Sequence, residues 1–328
     1  MHVLIIGAAG MVGRKLAARL AAEGGVGERA LARLTLADVV APTPPAGFQG
    51  PVEALAADIA DPALAARLIG ARPDLIFHLA AIVSGEAEAD FDKGYHINLD
   101  ATRGLLDAIR AANAEDGYRP RLVFTSSIAV FGAPFPDRIG DTFHCTPQTS
   151  YGTQKAMCEL LLEDYTRRGF LDGIGLRLPT ICVRPGTPNK AASGFFSNIL
   201  REPLSGCEAV LPVDDSVRHW FASPRAATGF LMHAAALDLA ALGHRRVLNM
   251  PGLSATVGDQ LDALGRIAGA RALRLIRREP DPLIARIVAG WPRDFAPERA
   301  QALGFTAEHS FDEIIAAHIA DELGGRLP

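Results

Sequence analysis

Tyr151 and Lys155 stand four residues apart in SYGTQK, a spacing that on a helix puts both side chains on one face, one turn apart. A free phenol gives up its proton only near about pH 10 and is a weak base at neutral pH. A neighbouring ammonium favours the ionised form, so this pair has the chemistry to take a proton from an alcohol. The same two residues can also stand on an ordinary helix surface, so a third group matters. Thr125-Ser126-Ser127 ends a short apolar run about one helix and loop earlier. Residues at the C-terminal end of a parallel strand face the ligand crevice of an open sheet. Ser127, with Ser126 as its neighbour, can hold the reacting oxygen there, although serines at that point also cap helices.

An alcohol that loses a proton to Tyr151 must also lose a hydride, and the N-terminus suggests an acceptor. Gly7, Gly10 and Gly13 form GAAGMVG directly between the apolar run His2 to Ile6 and the helical pattern from Arg14 to Ala22. Without side chains, such a turn lets backbone N–H groups and a helix N-terminus reach a pyrophosphate. The next strand, LTLAD, ends on Asp38, whose carboxylate can accept hydrogen bonds from both adenosine ribose hydroxyls and repels a 2′-phosphate. The implied cofactor is NAD rather than NADP. Asp58 and Ile59 follow a further strand-like segment, Val52 to Ala56. Asp58 reads either as a contact to the adenine amino group or as the cap of the next helix.

These groups need a scaffold. Apolar runs at Leu34 to Ala37, Leu75 to Leu79, Leu122 to Thr125 and Gly175 to Leu178 alternate with Ala- and Leu-rich helical stretches such as Asp61 to Ile69 and Ala101 to Asn113. That alternation predicts an α/β fold, a doubly wound parallel sheet. From Pro179 onward, prolines and glycines break the rhythm. The expected division is a nucleotide-binding domain over residues 1–178, with 222–250 returning to it, and a smaller discontinuous substrate-binding region over 179–221 and 251–328.

Of the 328 residues, 49% are hydrophobic and 21% charged, with a formal net charge of -4. This balance belongs to a globular chain with no call for nucleic acid as a partner. The longest apolar stretch, Gly229 to Leu242, carries His233 and Asp238, so no membrane span is expected. Cys145, Cys158, Cys182 and Cys207 form no CxxC or metal-ligand pattern. No metal is expected, and a reducing cytoplasm fits.

In sequence order these motifs resemble those of the extended short-chain dehydrogenases over nearly the whole chain. GAAGMVG is similar to that family's TGxxGxxG loop, HLAA at His78 to Ala81 to its fourth-strand element, INLDAT to NVxGT, TSSIAVFG to SSxxVYG, and SYGTQK to YxxxK. The resemblance implies Tyr151 as the base, Lys155 on the nicotinamide ribose, Ser127 as the catalytic hydroxyl and Asn98 in a structural or proton-relay role. It also implies cofactor contacts at Met11, Val12, Leu79, Ala80, Ala81 and Pro179, and pairing of two copies as a common arrangement. Ser84 is expected along the cofactor, on the substrate side. Ile6, Ala101 and Phe131 depart from the pattern at packing positions. Ile128 and Ala129 stand where dehydratases of this fold carry an acidic pair, which argues against water elimination. Thr180, in RLPT, stands where sugar-nucleotide epimerases usually have Asn.

The segments RLPTICVRPGTPNKAASGFFSNILREPLSG, VRHWFASP and WPRDF look most like members that oxidise a four-carbon sugar acid at its C2 hydroxyl to a 2-oxo acid. An acid substrate needs a counter-charge. Arg184, Lys190 and Arg218 are the candidates, with Lys190 and Arg218 preferred, while Thr180, Ser193 and His219 could meet substrate hydroxyls. A sugar-nucleotide epimerase and a non-catalytic dinucleotide sensor are the competing readings.

Overall fold

The computed structural model describes residues 1–186 and 192–327. Strand β1 (His2–Ile6), β2 (Arg33–Asp38), β3 (Val52–Ala56), β4 (Leu75–His78), β5 (Arg121–Ser127), β6 (Asp172–Leu178) and β7 (Val247–Asn249) form one seven-stranded sheet in the order β7-β6-β5-β4-β1-β2-β3. From β3 across to β5 every neighbouring pair runs parallel. Val3, Leu4, Ile5, Leu75, Ile76 and Phe77 are all at most 1% exposed, as strands covered by helices on both faces must be. The covering helices include α1 (Met11–Glu23), α2 (Pro62–Gly70), α3 (Ala101–Asp116) and α4 (Ser150–Arg167). Leu105, Leu106 and Ile109 of α3 and Cys158 and Leu162 of α4 share one core with Leu4, Ile76, Leu122 and Phe124 of the strands.

Chain order reverses between β1 and β4, so the loops leaving their C-terminal ends lie side by side. The Leu79 amide donates to the Ile6 carbonyl at 2.8 Å, continuing the register one residue past the strands. This is the topological switch at which such sheets bind ligands.

The chain divides into two compact units, one of residues 1–130, 149–177 and 228–248, the other of 131–148, 178–227 and 249–328. The second unit has its own core, built from Phe195, Phe196, Ile199, Phe221, Leu261, Leu264, Phe311 and Ile314. Its three-stranded sheet joins Thr180–Ile181, Arg218–Ala222 and Leu253–Thr256. Residues 131–148, which the sequence pattern gave to the nucleotide-binding domain, pack in this second unit. Ile139–Gly140 pairs with Phe295–Ala296, and the Phe131 ring lies 5.8 Å from those of both Phe143 and Phe295. The segment has one two-residue strand and no helix, so it carries no periodicity by which the sequence could have assigned it.

Candidate active site

The glycine turn is built as a cradle. Gly7 has φ +90°, and a Cβ there would meet the Ala80 amide nitrogen at 2.6 Å; a Cβ on Gly13 would meet the Gly7 carbonyl oxygen at 2.2 Å. Packing alone demands these two glycines. Gly10 is different: it is exposed, and its nearest neighbour to a Cβ is 3.4 Å away. The bare backbone there leaves room on the outer side. Gly10 is also the N-cap of α1 and supplies no side-chain cap, so the first-turn N–H groups of Met11, Val12 and Gly13 are not claimed by a capping side chain. A helix N-terminus of this kind suits a phosphate. Asp38, at the end of β2, accepts a 2.8 Å hydrogen bond from the Ala9 amide through one carboxylate oxygen, which fixes the carboxylate beside the turn. These features fit a dinucleotide. Asp58 turns back to accept from the Ala60 amide at 2.9 Å, and the cap of α2 is Asp61, not Asp58. Ile59 packs on the core of this unit.

Asn98 lies in a π-helical turn, Tyr95–Asp100, ahead of α3 and is 2% exposed. Its side-chain oxygen accepts from the Ile82 amide at 2.9 Å, and its Nδ2 donates to Gln154 at 2.8 Å and to the Ile82 carbonyl at 3.3 Å. The residue thereby ties the chain after β4 to α4. Beside it, Thr102 donates to the Asn98 carbonyl and meets His78 Nε2 at 2.9 Å. Burial pushes His78 down to about 3, so it is neutral.

Helix α4 starts on a Thr149 cap, whose hydroxyl accepts from the Gly152 amide at 3.1 Å. This places Tyr151 in the first turn and Lys155 one turn on. Lys155 is 2% exposed. Its ammonium donates to the Thr125 carbonyl at 2.8 Å and stands 4.7 Å from the centre of the Phe124 ring and 5.8 Å from that of Tyr151. Desolvation lowers its pKa to about 8, which still leaves it mostly protonated at pH 7.

The two serines diverge, as successive strand residues do. Ser126 points inward and donates to Glu159 at 2.5 Å. Ser127, half-buried, accepts from the Ala129 amide at 3.1 Å, which leaves its hydroxyl proton for a ligand. Sequence reading missed Glu159 and Arg177. Arg177, from β6, grips the Glu159 carboxylate with Nε at 2.9 Å and Nη2 at 2.7 Å. A signal existed: Glu159 continues the Tyr151, Lys155 spacing by one more turn, an acid on the buried stripe of the helix.

In the second unit, Thr180 Oγ meets His219 Nε2 at 2.7 Å, and His219 Nδ1 meets the Pro292 carbonyl at 2.8 Å. A carbonyl only accepts, so Nδ1 carries a proton. Burial beside Phe196 and Trp291 lowers His219 to about 4, so the ring is neutral, Nε2 is bare, and the Thr180 hydroxyl donates to it. His219, 3% exposed with both nitrogens committed, does not meet a substrate hydroxyl as its position in the sequence suggested. Thr180 retains lone pairs with which to accept. Ser193 Oγ accepts from Arg184 at 3.3 Å, and exposed Arg218 donates to the Ser254 carbonyl at 3.2 Å. Ser84 opens the short helix Ser84–Ala89. Lys190 lies outside the described residues. Among the described residues no group of His, Cys, Asp and Glu could hold a metal ion, and no helix is long and apolar enough to cross a membrane.

The NAD dependent epimerase/dehydratase family matches residues 3–245. D-erythronate dehydrogenase of Cupriavidus necator is 48% identical over 326 residues, covering 98% of each chain. The D-erythronate dehydrogenase of Haemophilus influenzae is 44% identical over 319 residues, 97% of this chain and 99% of that one. The crystal structure of the nucleoside-diphosphate-sugar epimerase from Agrobacterium tumefaciens superposes with a TM-score of 0.98 at 66% identity, over 100% of this chain and 96% of that one. The chain belongs to the NAD dependent epimerase/dehydratase family and is an NAD-dependent oxidoreductase.

Proposed function

We propose that this chain oxidises the C2 hydroxyl of a small sugar acid, D-erythronate or a close relative, to the 2-oxo acid. The observation that carries the chemistry is Lys155, a buried ammonium 5.8 Å from the Tyr151 ring at the head of one helix. In this reading Tyr151, ionised under that field, takes the hydroxyl proton, and Ser127 donates its own proton to hold the oxygen as charge develops on it. Bound NAD supplies the hydride acceptor. The cradle of Gly7, Gly10 and Gly13 holds its pyrophosphate, and Asp38 reads its adenosine ribose. Leu79, Ala80, Ala81 and Pro179 flank it, while Asp58 and Ile59 serve the adenine end. Asn98 keeps α4 in place.

For the substrate, Ser84 and Ser193 are proposed contacts and Thr180 accepts from a hydroxyl, while Arg218 and Lys190 balance the carboxylate. The substrate class rests on the two D-erythronate dehydrogenases, each matched over nearly its full length. Two copies are proposed to pair, as the family resemblance implies, which light scattering tests.

A second reading, epimerisation of a nucleotide sugar, draws on the 66% identical Agrobacterium tumefaciens structure. The two separate by redox stoichiometry. Incubation with NAD and D-erythronate is expected to give one NADH per 2-oxo acid formed. Absence of NADH together with interconversion of nucleotide sugars overturns the dehydrogenase reading.

A further inference from the structure

Lys155 does not stand on its own. The carbonyl that holds its ammonium belongs to Thr125, and the next residue, Ser126, sends its hydroxyl to Glu159. One end of β5 is therefore gripped twice by α4, through consecutive residues and from consecutive turns. Glu159 is 3% exposed and lies in the bidentate fork of Arg177, itself 13% exposed at the side chain. Burying a carboxylate is costly without partners, and Ser126 and Arg177 supply them.

We propose that Ser126, Glu159 and Arg177 form a buried network of positioning residues that holds β5 against α4 and governs the ammonium of Lys155. Glu159, one turn from Lys155, supports its positive charge, and Arg177 pairs with the Glu159 carboxylate and so opposes that support. Burial keeps His78 of β4 neutral and pushes the Cys158 thiol of α4 up, so at neutral pH the thiol carries little of the support that a Cys158 thiolate would give Lys155 ahead of Glu159. Among the described residues, β5 brings the Thr125 carbonyl and the Phe124 ring to it, and the first turn of α4 brings Tyr151. The balance between Glu159 and Arg177 is thus the adjustable charge beneath the site. This inference deepens the Tyr151 and Lys155 reading and rests on it for its link to turnover.

The network makes a prediction of opposite signs. Arg177→Met leaves the Glu159 charge unopposed and moves the Lys155 titration up by about one pH unit, whereas Glu159→Gln removes the supporting charge and moves it down. The readout is NMR of the full chain labelled with ¹³C,¹⁵N-lysine, with Lys155 assigned by Lys155→Met, and it needs no substrate. Displacement of both variants in the same direction, or of neither, overturns the proposal. Should either single variant fail to fold, the Glu159→Gln/Arg177→Met double variant, which removes both charges, is expected to keep Lys155 near its wild-type midpoint; a displacement of about one pH unit or more overturns it. Ser126→Ala releases the second grip and lowers kcat about tenfold with the NAD KM unchanged; an unchanged kcat overturns the positioning role. If wild-type protein turns over no sugar acid, the functional reading fails while the NMR titrations still judge the network.

Discussion

Each unit buries a base, and at neutral pH one is charged and the other neutral. Lys155 is 2% exposed and His219 3%, and burial lowers the pKa of both, to about 8 and to about 4. The lysine starts high enough to stay mostly protonated at pH 7; the imidazole does not. Their partners match. Lys155 has a carbonyl, two ring faces and a nearby carboxylate, all favourable to a cation. His219 spans a carbonyl and a hydroxyl, a set that a neutral ring satisfies completely. Similar desolvation thus leaves a charge at neutral pH in the first unit, beside the Tyr151 ring, and a neutral hydrogen-bonded imidazole in the second.

The comparison breaks most visibly at Tyr151. Tyr151→Phe removes the proton acceptor and is expected to lower turnover by about 10²–10⁴-fold with NAD affinity unchanged, as checked by NADH formation and by fluorescence titration of the cofactor. Retained turnover would mean that the charge on Lys155 serves something else. Next in size is Asp38→Ala, expected to weaken NAD binding about tenfold and to bring NADP within reach, since the variant lacks the carboxylate that repels a 2′-phosphate. Equilibrium titration with both cofactors tests this.

The third expectation sets activity against stability. Activity requires the ammonium, so the rate falls above about pH 8 as Lys155 loses its proton. Stability moves the other way. The folded pKa lies below the unfolded one, so the cost of the buried charge is fully present below pH 8 and is relieved as pH rises towards 10.5. Across that window wild type gains up to about 3 kcal/mol relative to Lys155→Met. Denaturant unfolding of both proteins at the two ends of the window measures it. A parallel course for rate and stability would refute the assignment.

The smallest effect concerns His219. Its folded pKa is also depressed, so the unfolded chain binds the proton first, and stability is lost as pH falls from 6.5 towards 4. His219→Phe is expected to blunt that acid loss while leaving the pH dependence of turnover above pH 7 unaltered. Calorimetry at pH 7 and pH 5 checks the first part.

Much of the first unit's fold was legible in the sequence because its signals are local. The order of strand, glycine turn, helix and acid in His2 to Asp38 reports the sheet and the tight turn from neighbouring residues. Tyr151 and Lys155 share a helix, so their spacing alone puts them on one face. What stayed hidden is long-range. Ser126, Glu159 and Arg177 come from β5, α4 and β6, and nothing in sequence distance marks them as touching. His219 looked available for a ligand because its partners Thr180 and Pro292 lie 39 and 73 residues away. Residues 131–148 carried too little regular structure to show which unit they join.

The central claim is that Tyr151 and bound NAD together remove a proton and a hydride from C2 of a sugar acid. D-Erythronate carrying deuterium at C2 tests it directly. The account predicts that the label appears in the reduced cofactor, one deuterium for each 2-oxo acid, and that Tyr151→Phe slows the transfer by about 10²–10⁴-fold. Deuterium retained in the sugar acid, or released to water without reduced cofactor, would contradict it.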